Sequence, residues 1–134
     1  MTSDRFYFRQ LLSGRDFAIG DSMAEQMANF VYLIGDRNTR DAVVVDPAYG
    51  VADLLDILDR DEMNLSGVLA SHYHSDHVGG SMMGHTIEGV RELLELRGTK
   101  VTDAGLVHLK GLTKLQMLYP VSYTHLTLPT SDLV

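Results

Sequence analysis

Cysteine is absent from this sequence of 134 residues, so no disulfide or thiolate is available, and any bound metal must be held by imidazole and carboxylate groups. Basic residues are scarce and scattered. Eleven Lys and Arg stand against 18 Asp and Glu, for a formal net charge of −7, and they form no cluster of the kind a nucleic-acid-binding face requires. No nucleic-acid partner is expected. Nor is there an apolar run long enough to span a bilayer, and the N-terminal "MTSDRFYFRQLL" mixes charges without the uninterrupted apolar stretch of a secretory leader. The expectation is a soluble cytoplasmic protein with no membrane partner; its oligomeric state is not legible. What remains is 45% apolar and 22% charged, the make-up of one ordinary globular domain.

The first two thirds read as compact α/β. "NFVYLIG" (Asn29 to Gly35) and "DAVVVDP" (Asp41 to Pro47) are β-branched and aromatic runs separated by a polar turn, which predicts a hairpin. In "VADLLDILDRDEM", Val51, Leu54, Leu55 and Leu58 fall at i, i+3, i+4 and i+7, one apolar helical face with acidic residues opposite. "LSGVLAS" (Leu65 to Ser71) then predicts a buried strand. Further on, "TIEGVRELLEL" has Ile87, Val90 and Leu94 in helical register, with Thr86 as its expected N-cap and Glu88 in its first turn.

At the end of the predicted strand stands "SHYHSDHVGG", Ser71 to Gly80, which holds three of the six histidines. Loops carried at the end of a rigid sheet are common positions for functional groups. On an extended loop, residues two apart point the same way, so His72 and His74 can converge on one ion while Tyr73 faces elsewhere. Asp76 and His77 follow at a different angle and could serve a second ion or orient a bound water. Zinc held by such nitrogen and oxygen ligands, with one open position, brings the pKa of bound water to about 7 and supplies a hydroxide nucleophile. A histidine-rich solvated loop is the bland alternative. Four ligand-type residues between an apolar strand and Gly-Gly weigh against it.

"HYHSDHVGG" resembles the H-x-H-x-D-H signature of the metallo-β-lactamase superfamily, and the hairpin, helix and strand before it come in that superfamily's order over roughly residues 6 to 96. "GDRNTRDAVVVDPA" is similar to the hairpin of the glyoxalase II and persulfide dioxygenase branches. The resemblance implies an αββα sandwich and a metal-dependent hydrolase of esters or thioesters acting on a small-molecule substrate. It further implies one or two zinc ions, with His72 and His74 on the first and Asp76 and His77 on the second, and Asp76 also in a catalytic role. A persulfide dioxygenase-like enzyme, whose single Fe2+ would use His72, is the alternative. Asp46 resembles a recurrent aspartate that supports the metal loop, a role that stands open beside that of a strand terminator before Pro47. Met23, Met27, Met82 and Met83 could line a cleft or fill the core, and His85 could face the metal or solvent.

In this superfamily a second ββα-type half supplies further metal ligands, and no sequence resembling it follows. From residue 97 to 120 the chain instead resembles a leucine-rich repeat of the "GTxVTDAGLxHLxGLTxL" kind. Leu94-x-Leu96 recurs as Leu118-x-Pro120, within the spacing of about 20 to 29 residues that such repeats show. His108 belongs to this pattern rather than to a metal site, and a lone repeat, which cannot bury its own core, makes an interaction fragment the non-enzymatic alternative. "VSYTHLTLPT" (Val121 to Thr130), within a tail from 121 to 134, resembles the in-frame translation of a sequencing adapter. The expectation is therefore the N-terminal half of a metallo-hydrolase (1–96) in a chimera, binding metal weakly and turning over near background.

Overall fold

The computed structural model describes residues 4–97 and, as backbone, the strand Gln116–Leu118. Five strands form the main sheet: β1 (Phe6–Leu12), β2 (Phe30–Asp36), β3 (Asp41–Val45), β4 (Asn64–Ala70) and β7 (Gln116–Leu118), in the order β1-β2-β3-β4-β7. β1 and β2 are antiparallel, with Leu11 opposite Val31, and β2 and β3 form the predicted hairpin, with Gly35 opposite Ala42. The turn between them is held by Asp36, whose carboxylate accepts the Asn38 N–H, and it closes at Arg40, a residue with φ 66. β3 and β4 run parallel, as a helical crossover requires. That helix is α2 (Val51–Arg60), which buries Val51, Leu54, Ile57 and Leu58. Its exposed carboxylates include Asp53, which accepts the Ala18 N–H and so ties the loop after β1 to the first helical turn.

Alternation along the strands gives the sheet two unlike faces. Tyr7, Leu11, Val31, Leu33, Ala42, Val44, Leu65 and Val68 are buried in the core with α2 and α4 (Val90–Leu96). Complete burial of a leucine contributes about 1.5–3 kcal/mol, so Leu54, Leu58, Leu93 and Leu94 alone fix these helices to the sheet. The opposite face carries a row of neighbouring rings, Phe6 stacked on Phe8 and Tyr32 tilted against both Phe8 and Phe30, of which the three Phe are exposed.

Two short elements escaped the sequence pattern. α1 (Ser22–Met27) is only six residues long and starts because the Asp21 side chain accepts the N–H groups of Met23 and Ala24. The region after the histidine motif makes a small hairpin, β5 (Gly80–Met82) with β6 (His85–Ile87), turning on Met83 and Gly84, both at positive φ. The expected N-cap at Thr86 is thereby corrected. Thr86 is spent as a strand residue opposite Ser81, and α4 begins at Val90, where the Glu92 carboxylate accepts the Gly89 N–H at 2.7 Å.

The architecture is a mixed α/β sheet layered with helices, the α/β class expected from the sequence. Of the repeat-like stretch 97–120, only Arg97 and β7, which pairs antiparallel with β4, are described; His108 lies outside the described residues. The tail 121–134 lies outside them entirely. Among the described residues no helix is long and apolar enough to cross a membrane.

Candidate metal centre

The site grows from the ends of two neighbouring parallel strands. β3 ends at Val45, and Asp46 follows in the left-handed region (φ 55), a conformation that Asp tolerates better than most residues, while its N–H still donates to Leu69 O on β4. β4 ends at Ala70, the chain bends at Ser71, and His74, with an extended backbone, stands at the N-cap position of α3 (Ser75–Val78), the one-turn helix bearing Asp76 and His77. The candidate metal loop is therefore irregular over its first four residues and helical from Ser75. His72 and His74 stand with rings edge to face, centroids 4.7 Å apart, but His77 comes closer to His72, at 4.2 Å.

Buried Asp46 organises these groups. One carboxylate oxygen accepts the Ser71 N–H at 2.7 Å; the other accepts the Ser71 hydroxyl and lies 3.2 Å from His77 Nδ1. Because Ser71 Oγ gives its proton to Asp46, it can only accept from His72 Nδ1, 2.9 Å away. One carboxylate thus places a proton on Nδ1 of two imidazoles, His77 directly and His72 through Ser71, and leaves Nε2 of both as a bare lone pair. That is how carboxylates orient metal-binding histidines in general. Asp46 both ends the strand and anchors the loop.

Asp76 is fixed separately. The Asn29 side-chain amide donates to both the Asp76 carbonyl, at 3.0 Å, and its Oδ2, at 2.9 Å; the same Oδ2 lies 3.5 Å from His77 Nε2. Burial, and behind it the neighbouring His77 and His74, push the His72 pKa below its ordinary value, which keeps that ring neutral and ready to bind a cation. The loop itself is pinned from behind. A methyl group at Gly89 would run into the Val78 carbonyl, so only glycine lets the start of α4 cross the end of α3 this closely.

Ligand atoms of Asp46, His72 and His77 lie within 4.8 Å of one another, and this donor set of nitrogen and oxygen without sulfur fits a divalent ion such as zinc. Asp46 already accepts from three donors, so its contribution is orientation more than ligation. His74 is exposed at the mouth of the site and Asp76 is half-buried beside His77. His85 is exposed on β6, off this centre, and lines a cleft of about 280 Å³ that includes Met23 and Tyr49. Met27 and Met82 pack on the core, and Met83 is exposed. Asn29 and Tyr49 carried no signal in the sequence; Ser71 was inside the motif, but its role depends on Asp46.

The family model for the metallo-beta-lactamase superfamily matches residues 25–109. The chain belongs to this superfamily. The match encloses the metal loop and runs beyond Leu96 into the repeat-like stretch. Among curated proteins the chain is 38% identical over 52 residues to a hydroxyacylglutathione hydrolase of Bdellovibrio bacteriovorus, covering 39% of this chain and 20% of that one. It is 40% identical over 67 residues to a hydroxyacylglutathione hydrolase-like protein of Mus musculus, covering 48% and 23%. It is 35% identical over 54 residues to the "Probable polyketide biosynthesis zinc-dependent hydrolase BaeB" of Bacillus velezensis, covering 40% and 24%. The chain spans between a fifth and a quarter of the length of these superfamily relatives.

Proposed function

We propose that this chain carries the metal loop of a zinc-dependent hydrolase acting on a thioester of the hydroxyacylglutathione type. The observation that carries the reading is the Asp46–Ser71 relay, which turns Nε2 of both His72 and His77 into free donors beside His74 and Asp76. Relatives named as hydroxyacylglutathione hydrolases supply the substrate class.

His72 and His74 would hold one ion, and Asp76 with His77 a second. Zinc bound there supplies a water acidic enough to be hydroxide near neutral pH and polarises the substrate carbonyl. The chain's own residues do the rest. Asp46 and Ser71 hold the Nδ1 protons of His77 and His72 in place. Asn29 keeps the Asp76 carboxylate turned toward the same side as His77 Nε2. Asp76, the proposed catalytic carboxylate, accepts a proton from the attacking water and returns it to the departing thiolate.

Titration of the protein with zinc, with and without His74→Ala, tests the binding, and hydrolysis of S-lactoylglutathione tests the chemistry. The reading expects weak binding that His74→Ala lowers further, and turnover that rises when residues completing the ligand set are supplied in a longer chain. Zinc binding that is indifferent to His72→Ala, His74→Ala and His77→Ala alike refutes it.

A further inference from the structure

The main sheet has an open edge at β1, the first strand in its order. Which backbone groups face that edge follows from the two ends of the strand. Arg5 O accepts from Arg37 N at 2.7 Å and Ser13 N donates to Asn29 O at 3.0 Å, in the same register that sets Arg9 opposite Leu33. In an antiparallel ladder the N–H and C=O of one residue point to the same side, and successive residues alternate between sides. The odd-numbered residues of β1 therefore bond to β2, while Phe6, Phe8, Gln10 and Leu12 turn their N–H and C=O outward. Leu12 is already closed, because its N–H donates to the Asp16 carboxylate at 2.8 Å and its carbonyl accepts from Arg15 and Asp16. Phe6, Phe8 and Gln10 are left with open backbone groups among the described residues.

Sheet edges are commonly blunted by proline, lysine, a bulge or an unpaired charge. β1 has none of these. Its register with β2 runs from Phe6 to Leu12 without a shift, and the nearby arginines are neutralised within their own chain, Arg5 by Asp36 and Arg9 by Asp61, each at 2.7 Å. Phe6 and Phe8, 59% and 49% exposed and stacked on each other, stand beside the open backbone. We propose that two copies of this chain join through β1 as an antiparallel pair about a two-fold axis at Phe8. Phe8 then faces the partner's Phe8, and Phe6 faces the partner's Gln10, so the outward N–H and C=O of all three residues find partners at once. An axis at Tyr7 would set Gln10 against the partner's Asp4, which precedes the strand, and one at Arg9 would set Phe6 against the partner's closed Leu12. The contact is isologous and uses up the β1 edge of both copies, so it ends at a dimer. It does not depend on the metal centre.

Sedimentation of the full chain over about 1–300 μM should show monomer giving way to dimer, since a strand-edge contact with a small aromatic patch belongs to the weak end of protein interfaces. Amide exchange should alternate along β1: the N–H groups of Phe6, Phe8 and Gln10 slow as concentration rises, and those of Tyr7, Arg9 and Leu11 are protected throughout. Gln10→Pro removes one outward N–H and keeps every ring, at a position where the N–H faces away from β2 and proline is tolerated. It should weaken dimerisation at least about 10-fold. Phe8→Lys, which sets two ammonium groups against each other across the axis, should do the same and serves if the proline variant fails to fold. Phe30→Lys, in the same aromatic row but on β2, should dimerise as wild type does. A chain that stays monomeric over the whole range, protection that does not alternate, or growth beyond a dimer overturns the inference. Association lost in Phe30→Lys and kept in Gln10→Pro overturns it too, because the contact then belongs to the aromatic face and not to the strand edge.

Discussion

Asp46→Asn separates orientation of the metal loop from its mere presence. Asparagine keeps the volume and is also tolerated in the left-handed region where residue 46 sits, so the backbone has no reason to move. The side-chain carbonyl can still accept the Ser71 N–H that Asp46 takes at 2.7 Å. The other oxygen, however, becomes an NH2 group facing the Ser71 hydroxyl and His77 Nδ1. Ser71 can rotate and accept from it, but then donates toward His72 Nδ1 instead of accepting. His77 must do likewise and move its proton to Nε2. Both imidazoles are driven to the tautomer that puts a hydrogen where the metal should be. Loss of a second layer of this kind weakens metal binding about 10- to 100-fold, or about 1.4–2.7 kcal/mol. Folding stability should fall less, by about 1–2 kcal/mol, because hydrogen bonds to a charged acceptor are exchanged for neutral ones without loss of packing. Urea melts with chelator present give the second quantity and zinc competition gives the first. An Asp46→Asn protein whose zinc affinity stays within about twofold of wild type would refute the relay, whatever happens to its stability.

Three further predictions follow from the same geometry. Asp61→Ala should cost about 1–3 kcal/mol in urea melts, because it strands the hydroxyl of buried Tyr7, which donates to Asp61 at 2.6 Å; the Asp61 pair with half-exposed Arg9 adds little, so Tyr7→Phe on top should cost almost nothing more, and additive losses would contradict this account. Gly89→Ala should destabilise the protein by about 1–3 kcal/mol and lower zinc affinity together, since the new methyl pushes on the Val78 carbonyl behind His77; a change in one without the other would show that the crossing does not hold the loop. For pH, the folded-state pKa of His72 lies below the unfolded value of about 6.5, so the stability tied to its neutral ring is complete above that pH and is lost as pH falls from there toward the folded value. An NMR titration should find the His72 midpoint lower than that of an unfolded control, and His72→Gln should flatten the acid side of the stability curve.

The hairpin, α2 and β4 were legible because burial leaves its mark on the sequence: β-branched and aromatic runs in "NFVYLIG" and "DAVVVDP", a short apolar run in "LSGVLAS", and the i, i+3, i+4, i+7 pattern from Val51 to Leu58. Where two local rules compete, such patterns do not decide. Thr86 is a good N-cap by type, yet Met83-Gly84 makes a tight turn that commits Thr86 to a strand, and the helix waits until Val90. The same limit applies at the metal loop. "HYHSDH" names donor atoms by residue type, and spacing alone pairs His72 with His74. The structure brings His77 nearer to His72, because the loop turns helical at Ser75 and because Asp46, on the next strand, reaches His77 directly and His72 through Ser71. Those partners are set by the parallel pairing of β3 with β4, a contact between segments separated by a whole helix. A candidate ligand's type is thus written locally, while the tautomer that would leave its nitrogen free for a metal is written in the sheet. The residues controlling that tautomer, Asp46 and Ser71, stand at the two strand ends that the β3–β4 register places side by side, so any substitution that slips that register should silence the centre without touching a histidine.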